Sequence, residues 1–222
     1  MNILIVNDDG ISSELPFRLK NILQNYGNVY MCLPCRERTG SSHSTDKTEI
    51  QACNLSKVEG HDNVYTHTGT ASDSVKFFFK FVSRNIDLVV SGINAGFNLG
   101  LDILYSGTVG AALEANIWGV KSIALSARKG NVECFDKLDS LLFYLLKELD
   151  WQGANCLNVN FPDQYAEGNV YKFVPAATVR RPDSGENDYV CCRLKNYITI
   201  SPLSFNPTDG VALKRLQKSN GF

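Results

Sequence analysis

The chain begins Met1-Asn-Ile-Leu-Ile-Val-Asn-Asp-Asp-Gly10, and this stretch decides the fold. The apolar run from Ile3 to Val6 predicts a parallel strand that helices bury on both faces. The strand must end near Asn7, because the adjacent Asp8 and Asp9 are poor strand formers and poor core residues. In an open α/β sheet, ligands bind in the crevice outside the carboxyl ends of the strands. The acidic pair is therefore expected at a ligand site.

The two adjacent carboxylates have two interpretations. Their hard oxygen atoms suit a magnesium-type cation, which binds a few carboxylates and keeps water molecules for the substrate. Alternatively, Asp9-Gly10 is the corner of a turn and Asp8 caps the next helix. The stretch by itself leaves both open.

Strand patterns alternate with helix patterns along most of the chain. The predicted strands cover residues 28–33, 49–53, 64–66, 87–91, 121–126 and 156–161. The predicted helices run from Ser12 or Ser13 to about Tyr26, from a cap at Ser72 to Val82, from Gly107 to Ile117, and from Phe135 to Leu149. This alternation predicts an α/β fold, a Rossmann-like, doubly wound and mostly parallel sheet.

The pattern changes after Pro162. Strand patterns at residues 170–174, 189–194 and 197–200 follow each other without a helix, and Asn206-Pro-Thr-Asp209 starts a final helix. We therefore expect a Rossmann-like metal- and phosphate-binding core at residues 1–162. Residues 163–222 are expected to form a C-terminal antiparallel strand or hairpin extension with a final helix, within the same domain unit.

The composition restricts the class of protein. The 222 residues are 44% hydrophobic and 20% charged, which is ordinary for a globular protein. A net charge of −1 gives no general attraction to nucleic acid polymers or membranes, so an anionic substrate needs a local site. No apolar run approaches the roughly 18–20 residues that span a bilayer. Because the N-terminus opens directly into a strand, the cytoplasm is the expected location.

The seven cysteines do not indicate a redox or zinc centre. Cys32-Leu-Pro-Cys35 has suitable spacing, but no second pair of this kind follows. An odd number of scattered cysteines favours reduced, mostly buried thiols in a reducing compartment.

A long loop rich in glycine follows the strand predicted at 87–91. It runs from Ser91-Gly-Ile-Asn94 through Asn98 to a helix that starts at Ser106-Gly-Thr108. Glycines let backbone amides approach an anion, and a helix N-terminus adds free donors and a positive dipole end. Asn94 can offer an oxygen to a metal, and Asn98 can donate to a phosphate oxygen. The alternative is a turn in which Ser106 only caps the helix.

Several motifs, in this order, resemble those of the SurE (survival protein E) family. They are Asn7-Asp-Asp-Gly10, Arg38-Thr-Gly-x-Ser42, Gly69-Thr-x-x-Asp73, Ser91-Gly-Ile-Asn-Ala-Gly-x-Asn-Leu-Gly100, Tyr105-Ser-Gly-Thr108, Leu157-Asn-Val-Asn-x-Pro162 and Ser201-Pro-Leu203. The resemblance implies a Rossmann-like domain with a C-terminal hairpin extension. It also implies a metal-dependent nucleotidase that releases phosphate from nucleoside 5′- or 3′-monophosphates.

The resemblance also implies the site residues. One divalent ion per subunit, Mg²⁺ or Mn²⁺, would be held by Asp8, Asp9, Thr39 and Asn94. The phosphate would be held by Asn98, Ser106, Gly107 and Thr108. Asp8 would be the catalytic residue, which orients or deprotonates the attacking water or attacks phosphorus itself. The family usually has Ser at position 39; Thr keeps the oxygen but adds a methyl group that restricts χ1.

Two further features bear on the site and on assembly. His43, in the polar loop from Pro34 to Lys47, is a candidate general acid, with a plain surface role as the alternative. The segment from Thr178 to Tyr197 is shorter than the tongue that family members exchange with a neighbouring subunit. A homodimer is expected, and the short tongue leaves a tetramer in question.

Two other functions fit the same residues. One is a phosphatase of the same fold that acts on short polyphosphates or sugar phosphates. The other is a regulator that binds a metal or nucleotide without catalysis. A haloacid-dehalogenase-like phosphatase fits less well, because Asn7-Asp-Asp-Gly10 lacks its Asp-x-Asp spacing. Phosphate release from a nucleotide panel, with and without metal, separates enzyme from regulator.

Overall fold

The computed structural model describes residues 1–46, 55–131, 133–165, 171–179 and 184–205. The strands are β1 Asn2–Val6, β2 Asn28–Pro34, β3 Leu55–Lys57, β4 Val64–His67, β5 Leu88–Ala95, β6 Lys121–Ala127, β7 Cys156–Phe161, β8 Tyr171–Phe173 and β9 Ile198–Leu203. The helices are α1 Leu15–Leu23, α2 Ala71–Phe81, α3 Gly107–Ile117, α4 Cys134–Phe143 and α5 Asp188–Arg193. A short 3₁₀ helix covers Gly100–Tyr105, and α4 continues into a π-helical turn at Tyr144–Glu148.

The strands that the structure describes form one sheet in the order β3-β4-β2-β1-β5-β6-β7-β9-β8. The strands from β4 to β7 in this order are parallel, whereas β3 and β9 join its two sides in antiparallel pairing. This confirms the predicted doubly wound, mostly parallel α/β fold. The chain reverses its direction of winding between β1 and β5, and a crevice at such a switch point is where ligands bind.

The two faces of β1 bury different sets of side chains. Ile3 and Ile5 belong to a cluster with residues of α1 and α4, such as Leu19 and Leu138. Leu4 and Val6 belong to a second cluster with α2 and α3. Because successive side chains of a strand point to opposite faces, this division shows that helices cover both faces of the sheet.

The C-terminal part differs from the sequence prediction in one element. Residues 189–194 were predicted as a strand, but α5 occupies 188–193. The physical reason is a local cap, since the Asn187 side chain accepts a hydrogen bond from the Val190 N–H at 3.0 Å and starts a helix. As a result, β8 and β9 are parallel to each other, connected through α5, and β9 supplies the antiparallel pairing with β7.

Other predictions fall outside the described residues or are not tested. The strand at 49–53 and the final helix from residue 206 lie outside the described ranges. The division into 1–162 and 163–222 stays a prediction. Within the described ranges, no helix has both the length and the apolar character to cross a membrane.

The Cys32-x-x-Cys35 pair does not have the environment of a redox centre. Cys32 is fully buried at the end of β2, and Cys35 is exposed in the next loop. Burial raises the pKa of the Cys32 thiol, whereas a reactive thiol needs a lowered pKa.

Two helices begin at residues other than those predicted. Thr70, not Ser72, caps α2, because its side chain accepts the Asp73 N–H while the Asp73 carboxylate accepts the Thr70 N–H. This reciprocal capping box satisfies two donors of the first turn. The start of α1 follows Glu14 without a side-chain cap, and α1 ends at Leu23 instead of Tyr26.

Thr70→Ala removes the hydroxyl of the capping box, so we expect the free energy of unfolding to fall by about 1 kcal/mol. In a chain of this size the melting temperature then falls by about 2–4 °C. Ser72→Ala is the matched control. The Ser72 hydroxyl is buried without a hydrogen-bond partner among the described residues, so its removal should cost nothing. Equal losses in both variants would contradict Thr70 as the cap.

Candidate functional site

A cleft of about 440 Å³ opens at the switch point between β1 and β5. Residues after the carboxyl ends of three neighbouring parallel strands line it, together with the loop after β2 and the end of the 3₁₀ helix. Six of the eight residues predicted for the site line this cleft: Asp8, Asp9, Thr39, Asn94, Asn98 and Ser106. The other two, Gly107 and Thr108, lie directly against Asp8.

Asp8 is held by the first turn of α3. Its side chain is 2% exposed, and the Thr108 hydroxyl donates to Asp8 Oδ1 at 2.6 Å. A Cβ atom at Gly107 would lie 2.8 Å from Asp8 Oδ2, so only glycine permits this close approach. Burial raises the pKa of Asp8, and the hydrogen bond from Thr108 partly offsets the rise. In this structure Thr108 therefore positions Asp8 with the hydroxyl that was predicted to contact phosphate.

Asp9 has an unsatisfied oxygen. Its Oδ2 is buried and has no hydrogen-bond partner among the residues that the structure describes. Burial raises the pKa of Asp9 to about 6, and the negative charges of Asp8 and Glu37 add to the rise. A buried carboxylate oxygen without a donor is unfavourable unless a positive charge compensates it. The pair is thus suited to bind a cation.

Thr39 and Asn94 bring neutral oxygen atoms to the same cleft. Asn94 lies near the end of β5, beyond a register shift in the β5–β6 pairing, and its Nδ2 donates to the Gly96 carbonyl at 2.9 Å. The Thr39 hydroxyl donates to Glu37 Oε1 at 2.7 Å, which leaves its lone pairs to accept. The donor set is two carboxylates, one amide and one hydroxyl, all hard oxygen ligands of the kind that Mg²⁺ and Mn²⁺ use.

This set differs from the usual clusters of metal-binding side chains. Within the described part of the chain, no group of three or more His, Cys, Asp or Glu side chains is arranged to hold a metal. A site with two carboxylates leaves coordination positions for water and substrate, as Mg²⁺ sites commonly do.

Asn98 is fixed by the strands behind the cleft. Its Nδ2 donates to Ser126 Oγ at 2.7 Å, and its N–H donates to Asn160 Oδ1 at 2.8 Å. Its carbonyl accepts from the side chains of Asn158 and Asn160. The Leu157-Asn-Val-Asn motif on β7 therefore supports the glycine-rich loop. Ser106 caps α3, because its Oγ accepts the Val109 N–H at 3.0 Å.

Four further polar or charged side chains line the cleft and were not predicted as site residues: Glu37, Asp102, Tyr105 and Lys129. Lys129 follows the carboxyl end of β6, so its place after a parallel strand was a usable signal. Its positive charge lowers the pKa of Asp9. Glu37 lies two residues before Thr39, and no motif marked it.

His43 attaches the loop at residues 35–46 to α3. Its Nε2 lies 2.7 Å from Glu114 Oε2, and Trp118 Nε1 donates to Glu114 Oε1 at 3.0 Å. A Cβ atom at Gly110 would lie 2.8 Å from His43 Cα, so the loop packs directly on the helix. Ser42 donates its hydroxyl to the Leu104 carbonyl at 2.6 Å. His43 thus anchors the loop that carries Thr39 and is not among the described residues that line the cleft.

Glu114→Gln should destabilise the protein in a pH-dependent way. Burial raises the pKa of Glu114. The hydrogen bonds from His43 and Trp118 and the charge of Lys76 together lower it by more than burial raises it, so the pKa falls below 4.5. A lowered folded-state pKa stabilises the protein above about pH 4.5, and this stability is lost as the pH falls through the folded-state pKa. We expect a loss of about 1 kcal/mol at pH 7, because a charged acceptor is replaced by a neutral one.

Urea unfolding at pH 7 and pH 3.5 measures this loss. Glu59→Gln, at an exposed position, is the matched control and should change little at either pH. A loss for Glu114→Gln that is the same at both pH values would contradict the charged hydrogen bond to His43.

The sequence matches the family described as Survival protein SurE over residues 3–182. A protein of Clostridium botulinum named 5′-nucleotidase SurE is 40% identical over 168 residues, which cover 73% of this chain and 67% of that protein. A protein of Petrotoga mobilis with the same name is 33% identical over 238 residues, which cover 92% of this chain and 93% of that protein.

The fold agrees with a solved structure of this family. The crystal structure of the SurE protein from Aquifex aeolicus superposes with a TM-score of 0.84 at 28% sequence identity, covering 99% of this chain and 100% of that chain. The family match extends over most of the chain and includes the cleft residues described above. This chain belongs to the SurE family of survival proteins.

Proposed function

We propose that this protein is a metal-dependent 5′-nucleotidase, which hydrolyses nucleoside 5′-monophosphates to nucleoside and phosphate. The observation that carries the proposal is the Asp8–Asp9 pair at the switch point of the sheet, where the buried Asp9 Oδ2 has no hydrogen-bond partner in the described part of the chain. The relatives from C. botulinum and P. mobilis are named 5′-nucleotidases, which supports the nucleotide substrate and the 5′ position. A homodimer stays a prediction from the resemblance.

One divalent ion, Mg²⁺ or Mn²⁺, fits the oxygen donors of the cleft. Asp8, Asp9, Thr39 and Asn94 would hold it. When bound, the ion supplies charge neutralisation and polarises a phosphoryl oxygen. The chemistry of the donor set and the orphaned oxygen of Asp9 are the grounds for this assignment.

The start of α3 is the wall proposed to hold the phosphate. Asn98 and Ser106 line the cleft, and Gly107 and Thr108 follow Ser106 in the first turn of α3. A helix N-terminus presents N–H groups and the positive end of the helix dipole, so these four residues would hold the phosphate. Lys129 lines the same cleft and adds a positive charge. Phosphoryl transfer depends mostly on positioning and charge neutralisation, which these groups provide.

Asp8 is the proposed catalytic residue. Its carboxylate is fixed through Oδ1 by Thr108, which leaves Oδ2 to orient a water molecule and accept its proton. The water oxygen attacks phosphorus and the bond to the nucleoside oxygen breaks. The leaving oxygen takes up a proton from solvent to give the free nucleoside, and Asp8 returns the proton that it accepted to solvent.

Asp8→Asn tests the proposal with a panel of nucleoside monophosphates in Mg²⁺, Mn²⁺ or chelator. We expect the wild type to release phosphate only with a metal, and the variant to lose at least about 100-fold in rate. Asp62→Asn is the matched control, since the Asp62 side chain is fully exposed. The melting temperature of Asp8→Asn should not fall, because the substitution removes a buried charge.

Two results would contradict the proposal. The absence of turnover for every monophosphate in every metal would refute the enzyme and favour a binding regulator. Wild-type rates in Asp8→Asn would refute the assignment of the catalytic residue.

Thr39→Ser and Thr39→Ala test the hydroxyl ligand. Ser keeps the oxygen and removes the methyl group that restricts χ1, so we expect the affinity for Mn²⁺ to stay or to rise. Ala removes the oxygen, and we expect about a 10-fold loss, typical of one perturbed contact in a metal site. Calorimetric titration with Mn²⁺ measures both. Equal affinities in Thr39→Ala and the wild type would show that Thr39 does not contact the ion.

A further inference from the structure

A second compartment adjoins the cleft that contains the acidic pair. It has a volume of about 360 Å³ and is lined by Phe97, Leu99, Asp102, Tyr189 and Arg193. Phe97 and Asp102 also line the cleft, so the two compartments share one wall. The second compartment therefore lies next to the proposed phosphate site.

The compartment joins two segments that are distant in sequence. Asp188, the first residue of α5, is fully buried; its Oδ2 accepts the Gly100 N–H and its Oδ1 accepts the Ala177 N–H, both at 2.8 Å. These bonds hold α5, which carries Tyr189 and Arg193, against the 3₁₀ helix that follows the glycine-rich loop. The compartment is therefore fixed by buried contacts of the fold.

The chemistry of the compartment suits a flat ring with acceptor atoms. The Arg193 guanidinium lies 4.9 Å from the centre of the Phe97 ring, and Tyr189 adds a second aromatic side chain. Aromatic faces and guanidinium planes stack on any of the nucleobases, because every base has a flat π-face. The guanidinium has only donors, so it pairs with base edges that present acceptors. A sugar phosphate or a polyphosphate has no planar aromatic ring that could stack on this wall and present ring acceptor atoms to Arg193.

Building on the proposed nucleotidase function, we propose that this compartment binds the base of the substrate. The base stacks on Phe97, and Arg193 donates hydrogen bonds to its acceptor atoms. The compartment thereby selects nucleoside monophosphates over phosphomonoesters that lack a base. Phe97 and Arg193 are specificity residues in this arrangement, separate from the residues that act on the phosphate.

The ratio of kcat/KM for guanosine monophosphate and ribose 5-phosphate tests this proposal. Guanine offers O6 and N7 to a guanidinium, and ribose 5-phosphate keeps the sugar and phosphate without a base. We expect the wild type to prefer the nucleotide. Phe97→Ala and Arg193→Ala should each reduce this ratio about 10-fold, mainly through KM for the nucleotide.

Two variants outside the compartment are matched controls. Phe143→Ala removes an exposed phenylalanine of α4, and Arg84→Ala removes an arginine that stacks on Trp118 at 5.2 Å. Both should leave the ratio at the wild-type value. A wild type that shows no preference for the nucleotide would overturn the proposal. So would variants of Phe97 and Arg193 in which kcat/KM falls equally for both substrates.

Calorimetric titration with guanosine tests the compartment without turnover. We expect guanosine to bind the wild type, and to bind Phe97→Ala and Arg193→Ala about 10-fold more weakly. Binding that both variants leave unchanged, or no binding to the wild type, would overturn the base compartment even if phosphate is released. If the wild type hydrolyses neither guanosine monophosphate nor ribose 5-phosphate, the proposed nucleotidase function is refuted. The guanosine titration would then still decide whether the compartment binds a base.

Discussion

A carboxylate that is almost excluded from water needs hydrogen-bond donors in fixed positions, and this requirement at Asp8 organises the site. One donor is the Thr108 hydroxyl, so the first turn of α3 must lie against the end of β1. Gly107 makes the approach possible, because a side chain there would collide with the Asp8 carboxylate. The acidic pair and the helix N-terminus opposite it are consequently one packed unit.

The loops around this unit are each tied to regular structure by polar contacts. His43 ties the loop of Thr39 to Glu114 on α3, and the side chain of Asn160 on β7 contacts the backbone of Asn98. Asp188 ties α5 to the 3₁₀ helix through Gly100. Residues on loops thereby acquire the positional precision that catalysis and recognition need.

The sequence predicted the parts of the site that depend on strand ends. The apolar run of β1 ends in carboxylates, which placed Asp8 and Asp9 at the ligand edge of the sheet. The resemblance to the SurE family then grouped Asn94 with them. Contacts between distant segments have no local signal, which is why the bond from Thr108 to Asp8 and the compartment around Phe97 and Arg193 were not predicted. At α5, the strand preference of Tyr-Val-Cys-Cys led to the prediction of a strand. The helix cap at Asn187 outweighs this preference, so the segment forms a helix.

The central claim is that one divalent cation is held by Asp8, Asp9, Thr39 and Asn94. Anomalous diffraction from crystals soaked in Mn²⁺ measures this directly, because only the metal gives a strong anomalous peak. We expect one peak per chain, within about 2.5 Å of carboxylate oxygens of both Asp8 and Asp9. No peak at saturating Mn²⁺, or a peak away from this pair, would contradict it.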